Sequence, residues 1–249
     1  MVFKAVLSDP ELLKSSIPII AEIIDEGIFK VDKDGIKLLS PDRTMVSVVD
    51  LKILSSAFDE FKADEPADIG VNMANFVAIL KRIKGTDKLT LELEKNKLKF
   101  TVEGDGKRKF DLPLLDVKVE KPPVDQLNFT GKIELESSVI EEGVADAEVI
   151  GDSVFLEAKP ESFKMFAKGD VSSTELELTK DSKSLLGLEV KEAIKAQYPI
   201  EYLKKMIKAA KISPQIVLEF GTDYPMRLSF KSLDKLSLAF VLAPRVSED

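Results

Sequence analysis

The chain is written twice, and no other feature restricts its fold so tightly. ILKRIKGTDKLTLEL (79–93) is answered by MIKAAKISPQIVLEF (206–220), with Lys81 on Lys208, Lys84 on Lys211, Leu89 on Ile216 and Leu91 on Leu218 at one common shift. AEIIDEGIF (21–29) is answered by AEVIGDSVF (147–155) in the same order, at a shift one residue shorter. Self-similarity at a fixed long spacing is the mark of a duplicated structural unit. The 249 residues then divide into an N-terminal domain (1–116), a connector (117–128) and a C-terminal domain (129–249). At 44% apolar and 32% charged residues, the composition suits a folded, water-facing protein. The connector, VKVEKPPVDQLN, is polar, has consecutive prolines and lacks helical period, so it reads as extended.

Each half repeats one order of elements. A strand (3–7; 129–135) leads into a helix (about 9–23; 137–148), then strands at 27–31 and 36–40, matched by 153–158 and 163–167. A β-segment (44–51; 174–179) precedes a second helix (about 73–84; 199–211). Three strands close each half, at 89–93, 97–102 and 108–113, and at 216–220, 226–230 and 236–242. The period-two alternation of KLTLELE and KLKFTVE supports the strands. Asp34-Gly35, Lys95-Asn96 and Gly104-Asp105-Gly106 have hairpin-turn chemistry. Ser8-Asp9-Pro10-Glu11 has the form of a capping box, Asn72 can cap the second helix, and Pro18 should kink the first. The fold class is α+β: a two-fold repeat of two helices packed on antiparallel sheets.

Two absences narrow the chemistry. Without Cys there is no disulfide, thiolate–metal site or thiol nucleophile, and without His the commonest general base is missing. No phosphate-binding GxxxxGK[ST] loop occurs. A carboxylate and Mg²⁺ enzyme would have to draw on Asp42, Asp50, Asp116 or Asp152, which form no recognisable metal motif. No catalytic residue, metal or cofactor is expected. The longest apolar stretch, 17–24, is interrupted by Pro18 and Glu22 and too short to cross a bilayer, and the N-terminus has no signal-peptide pattern. An intracellular protein is expected, with no membrane partner. The 36 basic and 44 acidic residues leave a formal charge of −8, which opposes simple adhesion to nucleic acid unless the positive charge is concentrated.

Several segments, taken in order, resemble the sliding-clamp family of proliferating cell nuclear antigen, its archaeal members in particular. They are SPDRTMVSVVDL (40–51), FDLPLLDV (110–117), YPMRLSF (224–230) and FVLAPRV (240–246). The resemblance covers essentially the whole chain. It implies a closed homotrimeric ring of six similar domains, sheets outside and helices lining a hole that holds double-stranded DNA without sequence preference. Such a protein is a non-enzymatic processivity factor for replication and repair, cytoplasmic and nucleoid-associated. Its implied partners are the replicative polymerase, clamp loader, flap endonuclease and ligase, which dock through short clamp-binding peptides. The alternative within the family is a subunit of a heterotrimer.

The resemblance also implies sites. Lys81, Arg82 and Lys84 on the second helix, and Lys204, Lys205, Lys208 and Lys211 on its counterpart, would face DNA, with Lys14 the only base of the first helix. The helix at 137–148 dissents: it carries Glu141, Glu142, Asp146 and Glu148 and no base, and whether these face DNA or a sheet edge is open. The partner pocket would comprise Pro41, Met45, Val46, Val48, Pro122, Val124, Pro225, Val241, Ala243 and Pro244. The alternative for Met45, Val46 and Val48 is a plain core strand. Val241 stands where many relatives have an aromatic residue. The subunit seam would join strand 107–113, with Lys107, Arg108, Lys109 and Phe110, to strand 174–179, with Glu175, Leu176, Glu177 and Leu178, so that opposite charges meet and two open edges close.

Overall fold

Alternating apolar side chains build both halves of the molecule, and their register can be followed in a computed structural model that describes residues 3–118, 120 and 122–245. Two compact units result. The first runs to Pro122 and takes in Ser232–Leu238; the second runs from Pro123 to Lys231 and resumes at Ala239.

In the first unit the elements are β1 (Phe3–Leu7), α1 (Glu11–Ile20), β2 (Glu26–Asp32), β3 (Gly35–Pro41), β4 (Ser47–Leu54), β5 (Glu60–Ala63), β6 (Ala67–Asn72), α2 (Met73–Leu80), β7 (Lys88–Glu94), β8 (Lys97–Glu103) and β9 (Lys107–Pro113). One antiparallel sheet has the order β5-β1-β7-β8-β9; in the other, β4-β3-β2-β6 are consecutive neighbours. Leu89 and Leu91 of β7 and Leu98, Phe100 and Val102 of β8 are buried on one face. Phe76 of α2 lies edge-on to Phe29 (5.8 Å) and Phe100 (5.4 Å), so the helix is fastened to both sheets by one aromatic cluster. Each such buried side chain contributes about 1.5–3 kcal/mol by leaving water.

The second unit repeats the plan: β10 (Gly131–Glu136), α3 (Ser137–Ile150), β11 (Ser153–Lys159), β12 (Ser162–Lys168), β13 (Ser173–Thr179), β14 (Leu185–Val190), β15 (Ile194–Pro199), α4 (Ile200–Met206) with a 3₁₀ turn (Ile207–Lys211), β16 (Gln215–Phe220), β17 (Met226–Ser232) and β18 (Leu236–Leu242). Its strand orders, β14-β10-β16-β17-β18 and β13-β12-β11-β15, are those of the first unit shifted by one repeat. Tyr198 is buried here, and its hydroxyl donates to the Tyr224 carbonyl (2.7 Å). That burial pushes the phenol above its ordinary pKa.

Local chemistry explains where the elements depart from the sequence-based bounds. Helix α1 starts later than expected, and Ser8 does not cap it: the Ser8 N–H donates to Asp59 (2.5 Å), while Asp9 Oδ1 accepts from Glu11 N–H (3.0 Å). The helix ends at Ile20, two residues after Pro18, through the tighter bonds Glu22 N–H to Ile19 O and Ile23 N–H to Ile20 O. Asn72 does cap α2, accepting from Asn75 N–H at 3.0 Å. Helix α2 stops at Leu80, where Arg82 N–H and Ile83 N–H take the tighter bonds to Ile79 O (2.9 Å) and Leu80 O (3.0 Å), and Lys84 N–H then turns to the Asp87 carboxylate (3.0 Å). Strands β5, β6, β14 and β15 had no sequence-based counterpart. Their alternation is short and mixed with charge, and they are fixed by pairing with β1, β2, β10 and β11.

Candidate functional site

The positive charge gathers where the second helix of each unit ends. Lys81, Arg82 and Lys84 are exposed beyond α2. Lys204, Lys208 and Lys211 are exposed, and Lys205 half-buried, along α4 and its 3₁₀ turn. Cations at a helix C-terminus also complement its dipole, which helps each turn to hold. Their pairing differs. Lys204 is ion-paired with Glu148 of α3, and Lys205 with Glu201 (3.3 Å), over the Tyr202 ring. Lys14 is half-buried and 3.4 Å from Glu11, so the base of the first helix is locally neutralised. The acids of α3, Glu141, Glu142, Asp146 and Glu148, are all exposed, while Val139, Ile140, Val144 and Ala147 turn inward. Helix α3 lies on β11, β12 and β13 of its own unit.

Of the residues expected to form a partner pocket, Pro41, Met45, Val46 and Val48 cluster at the β3–β4 turn. Met45 is 62% exposed, at φ +60°, and Val46 and Val48 are half-buried, so these are not core strand residues. One buried carboxylate shapes the turn: Asp42 accepts from Ser47 N–H (2.7 Å), Thr44 N–H (3.2 Å) and the Thr44 hydroxyl. Pro41 and Met45 line a cleft of about 330 Å³ with Ile24, Arg43, Val117 and Glu120. Arg43 bridges it to Asp25 at 2.7 Å. Pro122 is buried at the end of the first unit. In the second unit, Val124 and Val241 are buried, and Pro225, Ala243 and Pro244 are half-buried. The segment after β18 is held by Arg245, whose N–H donates to Gln197 O (2.7 Å) and whose guanidinium pairs with Asp152 (2.7 Å). Val246, the end of the FVLAPRV run, lies outside the described residues.

Strands β9 and β13 each end their sheet. Both alternate exposed and half-buried residues, with Phe110 half-buried on β9 and Leu176 and Leu178 half-buried on β13. Much of the charge on these edges has partners in its own unit. Arg108 folds back to pair with the buried Asp87 (2.6 Å) and to donate to Arg82 O (2.8 Å); Lys107 pairs with Glu103 (2.7 Å). Lys164 on β12 holds both Glu175 (2.9 Å) and Glu177 (3.7 Å). Lys109 stays exposed and is in no ion pair among the described residues. In the first unit, the counterpart of such an edge is covered: Leu54 N–H at the end of β4 donates to Lys235 O (2.9 Å) at the turn into β18.

Two residues that the sequence reading did not single out hold the second half of the connector. Arg227 of β17 donates to Val124 O (3.2 Å), and its guanidinium lies 4.9 Å from the Phe129 ring centre. Tyr224 meets the same ring edge-on (6.1 Å), and its hydroxyl accepts from Asn128 N–H (3.3 Å). Both belong to the YPMRLSF run, where an arginine inside an apolar strand was the available signal. Of the four aspartates weighed as metal ligands, Asp42 holds its turn, Asp50 lies near Lys52 (3.6 Å) and Asp152 pairs with Arg245. Among the described residues, no group of three or more acidic side chains is arranged to hold a metal.

Comparison with known proteins agrees in both halves. The family model described as proliferating cell nuclear antigen, N-terminal domain, matches residues 2–121, and that described as its C-terminal domain matches 123–245. The chain is 36% identical over 249 residues, the whole of both chains, to the DNA polymerase sliding clamp 1 of Thermococcus kodakarensis. It is 35% identical, again over both whole chains, to the DNA polymerase sliding clamp of Pyrococcus furiosus. Among solved structures, it resembles the proliferating cell nuclear antigen of Thermococcus kodakaraensis at a TM-score of 0.89 and 27% identity, over 98% of this chain and 100% of that one. The Entamoeba histolytica protein gives a TM-score of 0.89 at 24% identity, over 98% and 99%, a likeness of fold alone.

Proposed function

The chain belongs to the proliferating cell nuclear antigen family and is a non-enzymatic DNA polymerase sliding clamp, and we propose that three copies close head-to-tail around duplex DNA through β9 of one and β13 of the next. The observation that carries this is the pattern of edges. The repeat counterparts of β9 and β13 are β18 and β4, and in the first unit the chain entering β18 already lies on the end of β4. β9 and β13 end their sheets with one side free, so a second copy can pair with them. A heterologous contact of this kind makes a ring when its rotation closes.

Opposite charge assists the closure from the helices rather than from the strands. Helix α2 packs on β9 and α3 on β13, so a β9–β13 seam draws the basic end of α2 toward the acidic face of α3 in the next copy. On this reading the acids of α3 serve the seam, Lys81, Arg82 and Lys84 serve both the seam and DNA, and the lysines of α4 and its 3₁₀ turn serve DNA. Contacts to phosphate carry no sequence preference and allow sliding. The exposed Met45, with Val46 and Val48 beside it, takes part in binding the apolar residues of partner peptides; Val124, Val241, Ala243 and Pro244 of the second unit are proposed, by themselves, for the same chemistry. Those peptides come from the replicative polymerase and, as finer proposals, from the clamp loader, flap endonuclease and ligase.

Solution mass tests the ring: the purified chain should weigh as three copies, whereas a monomer at high concentration overturns it and a trimer only with added paralogues selects the heterotrimer. Charge reversal tests the DNA face. Changing Lys208 and Lys211 to Glu should abolish stimulation of polymerase while the solution mass and peptide binding persist, and surviving stimulation would remove the assignment.

A further inference from the structure

We infer that Arg227 is a positioning residue for the connector, holding its second half in the conformation that partner peptides require; this rests on the reading of the connector as part of the peptide site. Three features of one guanidinium lead there. It donates to the carbonyl of Val124, the buried residue that opens the short 3₁₀ turn Val124–Gln126. It lies over the ring of Phe129, where the connector enters β10. Its other side faces Glu219 of β16 at 3.9 Å, so the cation is oriented by a carboxylate on the neighbouring strand. Arg227 thus touches both ends of 124–129, and Tyr224 closes the middle by accepting from Asn128 N–H and packing on Phe129.

The turn itself is loosely closed. The bonds within the turn are long, Gln126 N–H to Pro123 O at 3.2 Å and Leu127 N–H to Val124 O at 3.4 Å. Asp125, Gln126 and Asn128 are exposed. A segment with weak internal bonding takes its conformation from what it is tied to, and Arg227 is the tie that reaches both ends of this one. The planar fork of arginine matters: it reaches a carbonyl and stacks on a ring at once, which a lysine ammonium cannot do. If release of the tie leaves the competent conformation only a tenth populated, apparent peptide affinity falls about tenfold without loss of any direct peptide contact.

Hydrogen exchange and peptide binding, measured together on the full-length assembled protein, test the inference. The probe is a fluorescein-labelled peptide carrying the clamp-binding segment of the replicative polymerase. Arg227→Gln should speed exchange at Leu127 and Asn128 selectively, raise the peptide Kd about tenfold, and leave the solution mass unchanged. Arg227→Lys should behave like the Gln variant, because charge alone does not restore the tie. Phe129→Leu gives a second route that leaves the arginine in place, with the same direction expected. Unchanged exchange at 126–129 in all three variants overturns the clamp. Faster exchange with unchanged peptide affinity overturns the positioning role. Failure of the unaltered protein to bind the peptide removes the reading of the site beneath it, a result distinct from either.

Discussion

Asp42 is one of the four aspartates that a carboxylate and Mg²⁺ enzyme would have to draw on, yet its carboxylate is engaged in shaping the turn that presents Met45. Bonds to a buried charged acceptor are worth more than neutral ones. Asp42→Ala should therefore lower the unfolding free energy by about 1–3 kcal/mol, read by denaturant titration, and loosen the turn around Met45. Other residues mark how the protein responds to pH. The Arg245 guanidinium beside Asp152 holds that carboxyl below its ordinary value, as the Lys37 ammonium does for Asp32. Groups with depressed pKa stabilise the fold above about 3.8, the ordinary aspartate value, and their contribution is lost as pH falls through the lower folded values. Lys37, Lys132 and Lys164 are raised by their carboxylate partners, so their contribution is present below the ordinary lysine value and is lost as pH rises through the folded ones. Thermal melting should accordingly be flat through neutrality and fall at both extremes, with Asp152→Asn removing part of the acid limb.

The elements owe their ends to contacts as much as to propensity. The turn after helix α2 is tied to a side chain, Asp87, that also binds Arg108 of β9, so the basic turn after the helix and the open edge strand are fastened to one buried carboxylate. Strand β6 shows the opposite device, an empty space that must stay empty. A Cβ on Gly70 would sit 2.3 Å from Leu115 O, and Gly70 O accepts from Leu115 N–H at 2.9 Å. Gly70→Ala should destabilise the first unit by about 1–3 kcal/mol and raise hydrogen exchange at Leu115, just before the connector. An unshifted midpoint would mean that the backbone there can move aside freely. The strands that were legible, β7 and β8 among them, are those whose alternation needs no partner to be seen. β5, β6, β14 and β15 were not, because pairing with β1, β2, β10 and β11 decides them.

For the whole molecule, the proposed ring depends on the two open edges and the separated charges. If α2 and α3 meet across the seam, raising salt should weaken the trimer as well as DNA binding, since screened charges contribute less at both places. Light scattering should then show a smaller mean mass at 1 M salt than at 0.1 M, and Glu142→Lys with Asp146→Lys should lower it at any salt. The duplication, the two-domain plan, the α+β class and the family were legible in the sequence, because repeats and period-two alternation are properties of the chain alone. So were the lysines of the second helices, which are local runs. Tertiary structure alone decided that Arg108 turns inward to Asp87, that Lys204 pairs with Glu148, and that Arg227 reaches the connector across 103 residues of chain. Such pairings depend on which strands lie side by side. A sequence records each partner's charge but not the register that brings the two within reach.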